Sequence, residues 1–449
     1  MKGNIVSLLQ AGCCIGSLLS NLLADPIGRK KAIMAYSVVF VLGGLLQALA
    51  TNLDTMMAGR FIAGLGIGGT SAMVPMYIAE IAPKKLRGRL GTVWQFLIVI
   101  GIMLSYFVDY GCVRGLPLGN NQWRVPLGIQ VIPGGLLLIG MFFLPESLRW
   151  LAIKGKHEMV KANLLRLRDI PEDDPELTAE LQEILAAADL DREYKGKLFS
   201  ELLNKNHLHR LFIGTMLQIF QQWTGTNAVN YYAPEIFQST GMTANNIDIL
   251  ATGVYGVVKV VFVAISFFMV DTKLGRRRTL MIGSLIMFCA FFILGGSILG
   301  IQNDNGGNLK TAAVGAKGYV AIIMIYVFAV GYEFSWGPIC WIYCSEIFPT
   351  HIRAICLSIT TAFNWAMNAV IAKVTPIMMA NITYGTYFFF GCTAVLMGTF
   401  VYFLVPETRG RSLEQIDEVF SGKILVHNDT YVIDHGKLAM DAEQGNYHE

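Results

Sequence analysis

The sequence predicts an all-α membrane protein built from two similar helical bundles. Three observations carry this. The chain is more apolar than a soluble domain needs, its apolar residues are gathered into runs long enough to cross a bilayer, and three short phrases occur twice in the same order. Of 449 residues, 54% are hydrophobic and 15% charged, and the mean hydropathy is +0.50. A spanning helix needs about 20 mostly apolar residues. Such runs lie near 4–24, 32–50, 58–80, 90–108 and 124–144, and again near 210–234, 248–270, 279–300, 318–344, 354–379 and 384–405, so about eleven spans are expected.

Charge sets the orientation of these spans. Arg29, Lys30 and Lys31 follow the first run, Lys84, Lys85, Arg87 and Arg89 the third, and Lys273, Arg276, Arg277 and Arg278 the seventh. Basic loops stay on the cytoplasmic side, so these are expected inside. The loops near 51–57, 236–247 and 380–383 have no Lys or Arg and are expected outside. Met1 then falls on the exterior and the C-terminus in the cytoplasm. No cleavable signal peptide explains this start, because the basic residues follow the apolar run. The net charge of +3 is small and sits at helix ends, which points away from nucleic acid. Cys13, Cys14, Cys289, Cys340, Cys344, Cys356 and Cys392 fall inside apolar runs without metal or disulfide spacing, and are expected to be small buried fillers.

The repeated phrases divide the chain. "DPIGRKK" from Asp25 returns as "DTKLGRRR" from Asp271, "EIAPKKLRG" from Glu80 as "EIFPTHIRA" from Glu346, and "PESLR" from Pro145 as "PETRG" from Pro406. A parallel internal repeat of this kind relates the two halves of major facilitator transporters. Aligned on these phrases, the second half has an extra run, 210–234, ahead of the run that ends at Asp271. The first half has no counterpart to it, so the expectation is an N-terminally shortened twelve-helix protein. Five spans are expected in a bundle at 1–149 and six in a bundle at 209–420. Between them, 150–208 carries "KHEMVKANLLRLRDI" and "PELTAELQEILAAADL", whose apolar residues fall at helical spacing and predict short cytoplasmic helices. The tail, 421–449, is polar and expected to be poorly ordered.

Taken together, these loop phrases, "PESLRW", "GRFIAGLGIGG" and "QQWTGTNAVNYY" resemble the sugar porter family of the major facilitator superfamily, especially its fungal members. The resemblance covers nearly the whole chain except the first expected helix and the tail. It implies the major facilitator fold, with about 11 of the usual 12 spans present. It also implies a carrier in the plasma membrane that acts as a single-chain transport unit without a cofactor, taking a hexose or pentose, with protons as the coupled ion in the full-length form.

The repeated charges suggest a gate. Glu80 and Arg87, like Glu346 and Arg353, lie seven residues apart across a helix end containing Pro83 or Pro349, so each pair can join two neighbouring helices at the cytoplasmic face. Asp25, Arg29, Glu146, Asp271, Arg276 and Glu407 lie at the same level. Such a cluster can latch the inner gate in the outward-open form and break in the inward-open form. The alternative is that these charges only set topology and solubility.

"QIFQQWTGTNAVNYYAP", from Gln218 to Pro234, places five amides where hydrocarbon is expected. Amides there are either glue between helices or the lining of a polar site. Five on one stretch, facing polar residues on other runs, favour a cavity. Gln and Asn match hydroxyl groups that both donate and accept, without the desolvation cost of a charge. By the resemblance, Gln221, Gln222 and Asn227 hold the sugar from the C-terminal half, with Gln218 one turn earlier, and Gln95 contacts it from the N-terminal half. Glu333 and Trp341 supply a polar contact and an aromatic floor, Gly337 and Pro338 a hinge, and Asn364 and Asn368 a further polar edge. Tyr231 and Tyr232 are expected near the outer gate.

Two positions depart from the pattern. Lys259 lies mid-span, where a lysine needs a cavity or an acid. It is expected either to pair with Glu333 or to meet an anionic cargo such as a sugar acid or quinate, and the intact Gln221–Gln222 pair tilts the expectation to a neutral monosaccharide. Arg60 is the proton-coupling candidate, but the aspartate that faces it in proton-coupled relatives belongs to the first helix that the repeat finds missing. Impaired coupling is therefore expected. A sugar receptor is disfavoured by the short tail. An enzyme or a metal site is disfavoured because no nucleophile motif or metal-spaced cluster appears.

Overall fold

The apolar runs form helices because a chain in lipid must satisfy its backbone hydrogen bonds internally. The computed structural model describes residues 2–83, 87–171, 174–193, 197–239, 247–269, 274–304, 315–349, 351–409, 420, 424–427 and 430–433. The order begins α1 (Lys2–Ile27), α2 (Arg29–Ala48), α3 (Leu53–Ile81), α4 (Arg87–Gly115), α5 (Asn121–Ile129) and α6 (Val131–Phe143). Four short helices follow: α7 (Leu148–Ile153), α8 (His157–Arg168), α9 (Pro175–Glu193) and α10 (Leu198–Leu202). The second set comprises α11 (Lys205–Trp223), α12 (Thr226–Ser239), α13 (Ile247–Met269), α14 (Gly275–Asp304), α15 (Ala316–Phe334), α16 (Trp336–Ile347), α17 (Arg353–Asn381) and α18 (Gly385–Leu404).

Among the described residues, eight helical stretches are long and apolar enough to cross a bilayer, and Asn4–Ser20 and Ala251–Ser266 are shorter apolar helices. Their outward faces carry Leu22, Leu42, Phe142, Phe143, Leu396 and Phe403, all exposed. Such a surface belongs against lipid, and the protein is a multi-pass membrane protein. Of the runs in the sequence, 210–234 is broken. Helix α11 stops at Trp223, Gly225 turns the chain at φ +85, and α12 restarts at Thr226.

A second break lies at Ser335 (φ −128, ψ −83), between α15 and α16. The sequence placed this hinge at Gly337 and Pro338. Instead, Pro338 sits in the first turn of α16, where no intrahelical N–H is required. Ser335 Oγ donates to Gly331 O at 2.6 Å and closes the end of α15. The next residue, Trp336, is fully buried and donates through Nε1 to Ser284 Oγ at 2.9 Å.

The "GRFIAGLGIGG" phrase is a packing device. Helix α1 packs against α3, and α2 packs against another face of α3. A Cβ on Gly64 or Gly68 would overlap the backbone of Leu9 or Cys13, and one on Gly12 or Gly16 would overlap that of Phe61 or Leu65. Small residues four apart on both partners let the two backbones meet. Helix α1 also packs against α17, and α4 against α13, so contacts between the two sets of helices run along both pairs.

The linker helices have their own small core of Leu148, Leu151, Val160, Leu164 and Leu177. Arg168 grips Glu180 with two bonds of 2.9 and 2.6 Å and donates to Ile81 O at 3.1 Å, which ties α8 and α9 to the end of α3. Within the tail, β1 (Ile424–His427) and β2 (Thr430–Ile433) form an antiparallel pair, Ile424 opposite Ile433 and His427 opposite Thr430, because alternating β-branched residues flank an Asn-Asp dipeptide. Cys289 and Cys392 are exposed rather than buried, whereas Cys13, Cys340, Cys344 and Cys356 are buried as expected.

Candidate functional site

Asn364 on α17 is the junction of the amide cluster. Its Nδ2 donates to Gln218 Oε1 at 2.6 Å and Gln221 Oε1 at 2.8 Å, and its Oδ1 accepts from Gln222 Nε2 at 2.8 Å. Gln221 Nε2 donates to the carbonyls of Trp336 and Gly337, at 2.9 and 3.1 Å. The break at Ser335 therefore presents first-turn carbonyls of α16 to a side chain of α11. Asn227 Nδ2 reaches Gln222 Oε1 at 2.5 Å, and Asn230 Nδ2 reaches Asn227 Oδ1 at 3.3 Å, which extends the chain of amides along α12. Gln218, Gln221, Gln222 and Asn364 are buried, while Asn227 and Asn230 are half-buried. Gln218 also contacts Cys344 Sγ at 3.7 Å and acts as glue, whereas Asn227 and Asn230 continue toward Lys259.

Lys259 and Glu333 meet at the end of that chain. Lys259 Nζ lies 2.9 Å from Glu333 Oε1 and donates to Asn230 Oδ1 at 3.3 Å. The ammonium sits over the rings of Tyr255 and Tyr332, 5.5 and 5.8 Å from their centroids. Gln95 on α4 donates to Glu333 Oε2 at 3.4 Å, so this ion pair is closed from the first set of helices. Lys259 is 1% and Glu333 0% exposed. Pairing partly offsets the desolvation of both charges, and leaving either without the other costs about 3–5 kcal/mol.

Other members close the cluster. Asn368 accepts from Tyr231 Oη at 3.0 Å, and that hydroxyl accepts from Gln10 Nε2 on α1 at 3.0 Å. Tyr106 Oη donates to Asn230 O at 3.1 Å and Tyr232 Oη to Ala372 O at 2.7 Å. Trp341 stands edge-on to Trp94, centroids 5.1 Å apart, across the α4–α16 contact. Arg60 on α3 lies near Tyr231, and its Nε is buried without a hydrogen-bond partner among the described residues. Gln10 was not singled out in the sequence, because one amide in an apolar run is usually helix glue. Its Oε1 is also buried without such a partner. Buried unfilled polar atoms are uncommon, and these border the amide cluster.

The charges of the repeated phrases form two matching brackets. In the first, Arg29 Nε lies 3.3 Å from Glu80 Oε2, Arg29 Nη1 lies 3.2 Å from Asp25 Oδ1, and Glu146 Oε1 accepts from Lys30 N at 2.9 Å. In the second, Arg276 Nη2 lies 3.2 Å from Glu346 Oε1, and Glu407 accepts from Arg276 N at 2.9 Å and Arg277 N at 3.0 Å. Ser147 Oγ donates to Glu80 as Thr408 Oγ1 does to Glu346. Gly28 (φ +95) and Gly275 (φ +76) turn the chain so that its N–H groups face Glu146 and Glu407, a backbone only glycine adopts without strain. Arg353 donates to Phe348 O at 3.0 and 3.1 Å. Asp271 and the side chain of Arg87 lie outside the described residues. Glu80 and Glu346 thus pair with arginines of the other repeated phrase, Arg29 and Arg276. The fold also gathers Glu201, His207 and His351, whose donor atoms lie within 4.8 Å of one another, from three segments that sequence spacing did not group.

Two pseudo-symmetric sets of helices with broken spans around buried polar groups define a transporter of the major facilitator type. Residues 1–420 match the family model described as "Sugar (and other) transporter", and the chain belongs to that family. It is 36% identical over 444 residues to the quinate permease of Neurospora terricola, covering 96% of this chain and 82% of that protein. It is 34% identical over 460 residues to a probable quinate permease of Aspergillus niger, covering 100% of this chain and 85% of that one. Among solved structures, the proton:xylose symporter XylE bound to 6-bromo-6-deoxy-D-glucose superposes with a TM-score of 0.78 at 31% identity, covering 93% of this chain and 89% of that chain. The inward-open form of XylE from E. coli gives 0.73 at 30% identity, with 93% and 88% covered. The protein is a transporter and not an enzyme.

Proposed function

We propose that the protein is a secondary transporter that moves a polyhydroxylated carboxylate of the quinate class across the plasma membrane by alternating access. The observation that carries this reading is Lys259, a buried ammonium reached by the amide chain and held 2.9 Å from Glu333. A hydroxylated ring bearing a carboxylate offers both chemistries at once: hydroxyls for Gln221, Gln222, Asn227 and Asn364, and an anion for Lys259. The relatives named quinate permease support it over nearly the full chain. Each neutral hydrogen bond contributes about 0.5–1.5 kcal/mol net, so a handful gives micromolar to millimolar affinity, weak enough for release.

The remaining site residues take supporting parts in this reading. Gln218 and Asn368 hold the lining in place, Gln95 and Trp341 close it from the α4 side, and Arg60 lies near its edge. The two cytoplasmic brackets keep each set of helices rigid while the sets rock, with α1–α17 and α4–α13 as the moving contacts. The basic loops support a cytoplasmic C-terminus in this reading.

A neutral hexose or pentose is the second reading, favoured by the amide cluster and by the sugar analogue bound to XylE. Uptake of labelled quinate, xylose and glucose by transporter-deficient yeast separates the two. Quinate uptake that excess xylose barely inhibits is expected. Sugar uptake without quinate uptake would assign the neutral cargo.

A further inference from the structure

We propose that Lys259 and Glu333 form an exchangeable counter-ion pair: the cargo carboxylate replaces Glu333 at Lys259, and the released Glu333 takes up a proton that crosses with the anion. This rests on the hydroxy-acid reading above and adds the coupling ion and its binding residue.

The geometry supports exchange. Lys259 Nζ is 2.9 Å from Glu333 Oε1, yet that oxygen takes no aligned hydrogen bond among the described residues. The ammonium keeps a second anchor, Asn230 Oδ1 at 3.3 Å, and the faces of Tyr255 and Tyr332. It therefore stays in place when one acceptor is traded for another. Glu333 also keeps a partner, because Gln95 Nε2 lies 3.4 Å from Oε2. An amide can turn its oxygen toward a protonated carboxyl as readily as its nitrogen toward a carboxylate.

Charge balance requires the proton. The resting pair sums to zero in a site with no exposure, 1% at Lys259 and 0% at Glu333. A bound carboxylate would leave one buried negative charge uncompensated, which a dry site disfavours strongly. Among the described residues, the titratable groups around Glu333 are Lys259 and Tyr255 on α13 and Tyr332 on α15, with Tyr106 on α4, Tyr231 on α12 and Cys340 on α16 interacting with those tyrosines. Apart from Lys259, and from the cation Arg60 beside Tyr231, all are ordinarily neutral near pH 7. Glu333 is thus the group that can restore neutrality. One proton enters from outside with each anion, the complex carries no net added charge, and both leave on the other side as the ion pair re-forms.

The test is quinate binding to the purified full chain in detergent as a function of pH. Obligate uptake of one proton makes the affinity fall as the pH rises, by up to about tenfold per pH unit. Glu333→Gln should flatten this dependence and Glu333→Asp should restore it, and Lys259→Gln should weaken binding more than tenfold. If Glu333→Gln does not fold, proton release and uptake by the unmodified protein decide: one proton taken up per quinate bound supports the exchange. Measurable binding with no proton uptake overturns it and leaves the quinate reading standing, whereas no quinate binding at all overturns both. Binding that survives Lys259→Gln but not Arg60→Gln moves the carboxylate to Arg60 and overturns the exchange.

Discussion

Asn364 Nδ2 lies 2.8 Å from Gln221 Oε1 and ties α17 to α11 inside the amide cluster. The same side chain serves Gln218 and Gln222. Asn364→Ala therefore strands three buried amides, each left with an unfilled group at a cost of about 1–3 kcal/mol before relaxation. A lower unfolding midpoint in detergent and weaker cargo binding are expected. Asn364→Asp keeps the acceptor for Gln222 but loses all three donated bonds and sets a buried carboxyl against two amide oxygens, so it should cost at least as much as Asn364→Ala. An unchanged midpoint for Asn364→Ala would mean that the cluster contributes nothing to stability.

The brackets predict additivity. Glu146→Gln and Glu407→Gln each weaken a charge-assisted bond to backbone N–H groups, worth about 1.5–3 kcal/mol. Glu146 bonds Lys30 and Ser147, whereas Glu407 bonds Arg276, Arg277, Thr408 and Arg409. The double variant should therefore lose the sum of the single losses within about 0.5 kcal/mol. Non-additive losses would show that the brackets act on each other through the fold.

The α1–α3 crossing sets a contrast between glycines. A Cβ on Gly68 would overlap the backbone of Cys13, whereas one on Gly101 meets nothing within 4 Å. Gly68→Val should abolish surface expression. Gly101→Ala should leave expression intact and stabilise the helix by up to about 1 kcal/mol. Equal expression of both would remove the crossing as a determinant of folding.

Helix content, the repeat and the amide-rich segment were legible in the sequence because they rest on composition, spacing and residue type. Partner choice was not. Nothing in the spacing of Glu80 and Arg87 announces that Glu80 pairs with Arg29, since that depends on how α2 and α3 are rotated against each other. Of the two fates open to Lys259, the fold realises the pair with Glu333, a contact between α13 and α15 that no local pattern encodes. The break was misplaced by two residues because Gly337 and Pro338 look like one, while a proline in a first helical turn costs little and the non-helical residue is Ser335. Gln10 was missed as a single amide among apolar neighbours.

Ser20 Oγ on α1 lies 3.1 Å from Ser358 Oγ on α17. If the two sets of helices rock apart, this contact opens in one half of the cycle. Ser20→Cys with Ser358→Cys, in a chain with its eight native cysteines replaced, should transport in reductant, lose transport on oxidation and regain it with dithiothreitol. Full activity of the oxidised, cross-linked protein would show that α1 and α17 do not separate.

Counterflow in proteoliposomes tests the account most directly. Vesicles loaded with unlabelled quinate and diluted into a trace of labelled quinate should draw the label in above its outside concentration, transiently and with saturation, as a carrier exposing one site to each side in turn requires. Saturable binding of quinate without counterflow would contradict transport by alternating access.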